Sequence, residues 1–506
     1  MTNVLFICTD QHRADHVGFG DNQVVRTPNL DSLAERGTVF DRTYVANPVC
    51  MPNRSSILTG RLPSAHGVVF NDRSLDWGAN TFVRRLSEAG FRTQHIGKAH
   101  IQIHAASFFP DGDGVPVGWD RDRKNWDGLE SFARYVDGDP GPVENFYGFD
   151  QAEFCLGHGA AVGGHHLPWA IERGFDPATA GGGPKSPARF RSEHWWQVFK
   201  PAYDEGFHST EFVTSRSVEF IEGAAADEAP WFLFASYPDP HHPFTPPGEW
   251  FDRHDPADME LPESFHDPVD HLPEFLRTMS ADAGARGPMR ISAEALRDAM
   301  AAQYGSIEMI DEGVGRMLAA LETSGQLDDT IVIFTADHGD MFGDHGFMLK
   351  GGFLFEGTTR VPLVISQPGA TGARTSSLAS SLDIGSTILD LVDVGSYDGV
   401  QGVSLTPLLD DTGAEVRDHV LIEEDVPDYG LWSNVVPEHS RTLVTADARM
   451  TRYSTGEGEL YDLAADRAER TNLFDSADGL DLRHHLTDQL ADALVSSADH
   501  ARFVTR

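Results

Sequence analysis

Three apolar runs in this chain lead into polar residues of one kind. "VLFICT" runs into Asp10-Gln11, "WFLFAS" is followed by a loop carrying His241-His242, and "TIVIFTA" runs into Asp337-His338. In open parallel sheets, ligands bind in the loops outside the carboxyl ends of strands. Carboxylates joined by an amide and an imidazole suit a hard or borderline divalent cation such as Ca²⁺, Mg²⁺ or Mn²⁺. Any one such pair is equally well a helix cap or a turn, but two Asp-led pairs that each end a buried strand point to a site. A fourth stretch, "ANPVCMPNRSSILTGR", sets Cys50 at the entrance of a segment with helical character that stops at Gly60, with Pro52 at +2 and Arg54 at +4. A helix N-terminus favours negative charge, a divalent cation lowers the pKa of a bound hydroxyl, and Arg54 one turn on adds fixed positive charge. A lone free cysteine is more often a small buried hydrophobe, which is the simplest account of Cys8 in the first apolar run.

The elements that must hold these groups are legible from periodicity. Strands are expected at Val4 to Cys8, after Gly90, at the start of 230–247, in "DTIVIFTADHG" and in "VPLVIS". Helices are expected over 27–37, from 80 to Gly90, over 208–224, over roughly 293–324 and in "LDIGSTILDLVDV". This alternation argues a parallel sheet covered by helices on both faces. Residues 103–200 lose periodicity and are rich in Gly, Pro, Asp and aromatics, so they read as long loops with short elements, walling the site. After about residue 410 short strand-like pieces end in one amphipathic helix near 481–498. That gives a division into 1–410 and a smaller α+β unit, 411–506.

The bulk numbers narrow the class. The 506 residues are 40% hydrophobic and 23% charged, enough for a substantial core. No apolar run approaches the ~18 residues that span a bilayer, and the N-terminus carries no basic, cleavable leader, so a soluble cytoplasmic protein without a membrane partner is expected. Three cysteines, Cys8, Cys50 and Cys155, make a disulfide framework improbable and agree with a reducing compartment. The formal net charge of −39 argues against nucleic-acid binding. With only five lysines (Lys98, Lys124, Lys185, Lys200 and Lys350), any site for an anion must gather its cations against the global field.

Taken together the motifs resemble the type I sulfatases of the alkaline phosphatase superfamily. The resemblance runs the length of the chain: Asp10, "TPNLDSLAERG", Cys50-Met-Pro-Asn-Arg54, "LTGRLPSAHG", Lys98-x-His100, "PHHPF", "YGSIEMIDEGVGRMLAAL", "DDTIVIFTADHGDMFGDHGFMLKGG", "VPLVIS", "GVSLTPLL" and "ELYDLAADRAERTNL". "CLGHGAAVGGHHLPWA" and Asn71 are similar to the branch that holds choline sulfatases and phosphonate monoester hydrolases. The resemblance implies an α/β fold with a large mixed, mostly parallel sheet sandwiched by helices, alkaline-phosphatase-like, with a smaller C-terminal α+β domain. It implies hydrolysis of a small-molecule sulfate monoester to an alcohol and inorganic sulfate. The cofactors implied are one divalent cation, Ca²⁺ ahead of Mn²⁺ or Mg²⁺, and Cα-formylglycine made from Cys50 by machinery that reads the Pro and Arg at +2 and +4.

Residue by residue, the resemblance implies a metal shell of Asp10, Gln11, Asp337 and His338, with Asp337 also helping to deprotonate the attacking hydroxyl. It implies that Arg54 and Lys98 neutralise the nucleophile and bound oxyanion. His241 and Lys350 bind the sulfate and assist the leaving alcohol, His100 helps release sulfate and restore the aldehyde, and Asn71 binds substrate. His241, directly after proline, takes the family position, and His242 is its neighbour. His66, His158, His165, His166 and His208 either line the pocket or cap loops. The chain departs from the common signature at Met51, Asn53, Gln11 (where many members have Asp) and His338 (where many have Asn); a nitrogen ligand shifts preference toward Mn²⁺. The alternative is a phosphonate monoester or phosphodiester hydrolase on the same scaffold. Such enzymes tend to carry Tyr and Thr at the positions of Lys98 and His100, so this pair favours the sulfatase. An inert scaffold protein is disfavoured, because every expected polar position is filled. Self-association as a homo-oligomer is left open.

Overall fold

The run Asn-Val-Leu-Phe-Ile-Cys-Thr forms the strand Asn3–Thr9, buried along its whole length. Its side chains alternate between two cores, Val4, Phe6 and Cys8 on one side and Leu5 and Ile7 on the other, as a period of two requires. The computed structural model describes residues 2–103, 128–136, 138, 140–227, 229–281, 289–427 and 435–498. Within them the strand sits at the middle of a nine-stranded sheet. Thr330–Ala336 and Trp231–Ser236 flank it in parallel, and Arg92–Gly97 lies parallel beyond Trp231–Ser236. Phe149–Phe154 continues the parallel run, while Leu363–Ser366 and Val143–Phe146 pair antiparallel at either side. The sheet is therefore mixed but mostly parallel, and "VPLVIS", an expected strand, runs against its neighbour.

Helices cover both faces. Cys50–Thr59, Phe82–Glu88 and Asp383–Leu391 contribute to the first core. Pro28–Glu35, Ser209–Ala224 and Ala293–Thr323 lie over the second. Fully burying a Leu or Phe is worth about 1.5–3 kcal/mol, so strands and amphipathic helices hold themselves by packing. Cys50–Thr59 is different: all ten residues are buried, yet half of them are polar. It must be held by hydrogen bonds.

The C-terminal region forms a four-stranded antiparallel sheet, His419–Asp425, His439–Thr445, Ala448–Tyr453 and Gly458–Asp462 in that spatial order, followed by the helix Leu480–Ser496. Both its faces share a core with residues of the first part of the chain. Val420 and Ile422 pack with Tyr44, Phe353 and Phe355, and Leu421 and Leu443 with Ala46 and Leu62. Among the described residues no helix is long and apolar enough to cross a membrane.

The stretch 103–200 holds short elements between its loops. Val143–Phe146 and Phe149–Phe154 extend the main sheet, and His166–Glu172 is a helix. The strand was hidden because its sequence, Phe-Asp-Gln-Ala-Glu-Phe, breaks the apolar alternation. Glu153 is tolerated there because Arg216 binds its carboxylate through Nε and Nη2 at 2.9 and 3.0 Å. Residues 104–127 of the expected loop lie outside the described residues.

One glycine is fixed by the sheet edge. Gly97, at φ +110, stands where a Cβ would meet the Ser236 carbonyl oxygen at 1.8 Å, and the next amide, Lys98 N–H, donates to that same oxygen at 2.9 Å. Gly97→Ala is expected to cost more than about 2 kcal/mol in urea unfolding, from strain at positive φ and backbone collision. A loss below about 0.5 kcal/mol would contradict this packing.

Candidate active site

The polar helix is fastened at each turn. Val49, extended at φ −120 and ψ 143, leads in, and its N–H donates to Asn47 Oδ1 at 2.8 Å. Met51 N–H donates to Asn71 Oδ1 at 3.0 Å, serving one of the amides a helix start leaves open. Asn53 Oδ1 accepts from Ala46 N–H at 3.0 Å and Ser381 Oγ at 2.7 Å, and its Nδ2 donates to the Asp337 carbonyl. Gly60, in the left-handed region at φ 60, ends the helix. The outcome is that Cys50, at the first position, faces the ends of the central strands.

There the register brings the carboxylates together. Thr9 is opposite Ala336, so Asp10 and Asp337 leave adjacent parallel strands side by side. Asp337 Oδ1 accepts from Gln11 N–H at 3.1 Å and its Oδ2 from Arg54 Nε at 2.6 Å. His338 Nδ1 pairs with the Gly339 carbonyl at 2.8 Å, which fixes the proton there. His338 Nε2 then faces Cys50 Sγ at 3.1 Å, Asp10 Oδ1 at 3.5 Å and Asp337 Oδ1 at 3.7 Å.

Cations close the other side. Arg54 Nη1 donates to the Lys98 carbonyl at 2.7 Å and to Ser236 Oγ at 2.8 Å, while buried Nη2 has no partner among the described residues. Lys98 Nζ donates to Asp10 Oδ2 and lies 2.8 Å from His158 Nε2. Lys350 Nζ reaches both Gln11 Oε1 and His241 Nε2. The His241 ring stacks between His158, at 3.8 Å, and His242, at 4.0 Å. His100, at φ 49, donates its backbone N–H to Glu130 at 2.6 Å, and its ring centre is 6.4 Å from that of His158.

The electrostatics single out one cysteine. Burial alone would raise the Cys50 thiol, but Lys350 and Lys98 outweigh it, and the thiol lies below its ordinary value. Burial pushes the Cys8 and Cys155 thiols up. Burial would likewise raise Asp10, yet Lys98 and His241 hold its carboxyl well below the usual range.

The structure thus gathers Asp10, Gln11, Cys50, Arg54, Lys98, His241, Asp337, His338 and Lys350 at one sheet edge, with His100 beside them. Asn71 meets the Cys50–Thr59 helix by accepting from Met51 N–H. Of the five histidines with two readings, His158 enters the site. His66 pairs with Ser56, His165 with the Phe154 amide, His166 with the Phe207 carbonyl, and His208 caps the helix Ser209–Ala224. Sequence reasoning missed Asp340. Its Oδ1 accepts from Phe342 and Leu349 N–H, each at 2.8 Å, and its Oδ2 from Gln11 Nε2. Its place three residues after Asp337 was the available signal.

A helix-start cysteine, two strand-end aspartates and converging Lys, Arg and His groups define a hydrolase of tetrahedral oxyanion esters. Residues 2–394 match the sulfatase family, and residues 343–496 match the C-terminal region of N-sulphoglucosamine sulphohydrolase. The chain is 32% identical over 482 residues to an arylsulfatase of Clostridium perfringens, covering 94% of this chain and 90% of that protein. It is 26% identical over 489 residues to a choline-sulfatase of Rhizobium meliloti, covering 94% and 83%. The crystal structure of a phosphonate monoester hydrolase of Agrobacterium radiobacter superposes with a TM-score of 0.79 at 27% identity, covering 99% of this chain and 96% of that one. The chain belongs to the sulfatase family and is a sulfuric ester hydrolase.

The donor set fits the metal ion that the family uses. Ligand atoms of Asp10, Cys50, Asp337 and His338 all lie within 4.8 Å of one another, and they combine two carboxylates with an imidazole. A ligand at 100 times its Kd stabilises a fold by about 2.7 kcal/mol. Chelator-treated protein is therefore expected to melt at a lower temperature than protein given Ca²⁺ or Mn²⁺, and Asp10→Ala should lose that response. An unchanged melting point in verified metal-free protein would contradict the site.

Proposed function

We propose that the chain hydrolyses sulfate monoesters with a Cα-formylglycine made from Cys50, aided by one divalent cation, Ca²⁺ ahead of Mn²⁺ or Mg²⁺, held by Asp10, Gln11, Asp337 and His338. The observation that carries this reading is the position of Cys50: first in its helix, 3.1 Å from His338 Nε2, with its thiol lowered by Lys350 and Lys98. Every residue of that helix is buried, so machinery that reads Pro52 and Arg54 must meet the segment before it folds. When bound, the cation would acidify the nucleophilic hydroxyl and offset charge on the sulfate.

The chain's own residues do the rest. Arg54, tied to Asp337, keeps Nη2 open toward the oxyanion. Lys98 stands between Asp10 and the sulfate position, and Lys350 and His241 act together on the sulfate and the departing oxygen. His100 assists release of sulfate. The substrate is a small-molecule sulfate ester; arylsulfatase and choline-sulfatase relatives support that class. In this reading residues 1–410 carry the chemistry and 411–506 form a smaller unit packed on it. Three free, buried cysteines support a reducing compartment, the cytoplasm.

Phosphonate ester hydrolysis is the second reading, favoured by the likeness to the Agrobacterium radiobacter enzyme. Lys98 and His100 weigh against it. The double substitution Lys98→Tyr with His100→Thr is expected to lower kcat/KM on 4-nitrophenyl sulfate by about 100-fold, the scale of losing one oxyanion donor, and to lower it far less on a phenyl phosphonate. Equal losses on both substrates would show that the pair serves chemistry common to the two esters.

A further inference from the structure

The loop that delivers Lys350 is unusual in its backbone. Leu349, Gly351 and Gly352 all lie in the left-handed region, at φ 71, 92 and 77. Such a path persists only where its surroundings hold it. Asp340 holds its near end by accepting from Leu349 N–H at 2.8 Å. Its far end is held from the C-terminal sheet. Glu424, on the strand His419–Asp425 and 1% exposed, accepts from Gly352 N–H at 2.9 Å through Oε1 and 3.1 Å through Oε2. Val436 lies against Gly352 so closely that a Cβ there would meet its methyls at 3.0 Å.

The preceding residue of the same strand grips the approach to the nucleophile. Glu423 N–H donates to the Ala46 carbonyl at 2.9 Å, and the Glu423 carbonyl accepts from Asn47 Nδ2 at 2.6 Å. Its carboxylate accepts from Ser64 N–H at 2.8 Å and Ser64 Oγ at 3.0 Å. One strand therefore braces both Lys350 and the entrance to the Cys50 helix.

We propose that Glu424 is a positioning residue for Lys350, so that the C-terminal sheet completes the active site by fixing the reach of this lysine. The proposal rests on the role given to Lys350 above. The link is mechanical: without the acceptor, Gly352 N–H is left buried and unpaired, the loop loses its far anchor, and Lys350 Nζ no longer holds its place between Gln11 and His241. Burial pushes the Glu424 carboxyl up to about 7, so near neutrality it is partly uncharged. Its neutral form keeps a carbonyl oxygen that accepts the same hydrogen bond, and an amide of the same shape should serve as well.

The test is a double-mutant cycle on the full chain, read as kcat/KM on 4-nitrophenyl sulfate. Glu424→Ala is expected to lower activity about 10- to 100-fold, the range that a ~1 Å misplacement brings, and Glu424→Gln to rescue it. The double variant Glu424→Ala with Lys350→Ala should be no worse than Lys350→Ala alone. Multiplied losses in the double variant, or a Gln variant as poor as the Ala variant, would overturn the proposal. A silent Lys350→Ala would instead sink the role of Lys350 itself. Amide exchange on the wild-type chain needs no variant: Gly352 N–H should exchange slowly, and fast exchange there would overturn the brace.

Discussion

The buried pair between Arg54 and Asp337 is the constraint on which the site depends. Arg54 belongs to the Cys50–Thr59 helix and Asp337 to the end of the strand Thr330–Ala336, and their side chains are 3% and 0% exposed. Taking both ions out of water costs several kcal/mol each, which a lone pair seldom recovers in full. Here each partner has further hydrogen bonds. The Arg54 guanidinium also binds the Lys98 carbonyl and Ser236, and Asp337 also binds the Gln11 amide. One guanidinium thus ties the helix to three central strands and fixes the separation of Cys50 from both carboxylates. Packing of Met51, Ile57 and Leu58 holds one side of the helix, and the buried polar half needs these bonds.

The same economy shapes the charge balance. Acidic residues number 78 against 39 basic ones, and two of only five lysines stand in this site. Neither ammonium is free. Lys98 is shared between Asp10 and His158, and Lys350 between Gln11 and His241. Positive charge that is preorganised in a dry site needs no reorganisation when an anion arrives. Asp10 and Asp340 hold the acidic side of this arrangement, the latter through Gln11 and Leu349.

Much of this was legible in the sequence, for physical reasons. Asn3–Thr9, Trp231–Ser236 and Thr330–Ala336 are buried along their whole length and mostly apolar because both sheet faces are covered, and the polar residues that follow them had to lie at one edge. The Cys-x-Pro-x-Arg spacing carried the helix Cys50–Thr59. Phe149–Phe154 was not legible, since its buried charged residue, Glu153, is satisfied by Arg216, far away in sequence. His158 could not be told from four other histidines, because its partners, Lys98 and His241, come from loops that follow other strands. The reach of Glu424 across to Gly352 left no local signature at all.

The central claim is that residue 50 acts as an aldehyde derivative of cysteine. Mass spectrometry of the peptide carrying residue 50 tests it most directly, on protein made with and without the modifying machinery and assayed on 4-nitrophenyl sulfate. The account predicts a peptide lighter by the exchange of sulfur and two hydrogens for one oxygen, in a fraction that tracks specific activity. Full sulfatase activity in protein whose residue 50 is entirely unmodified cysteine would contradict it.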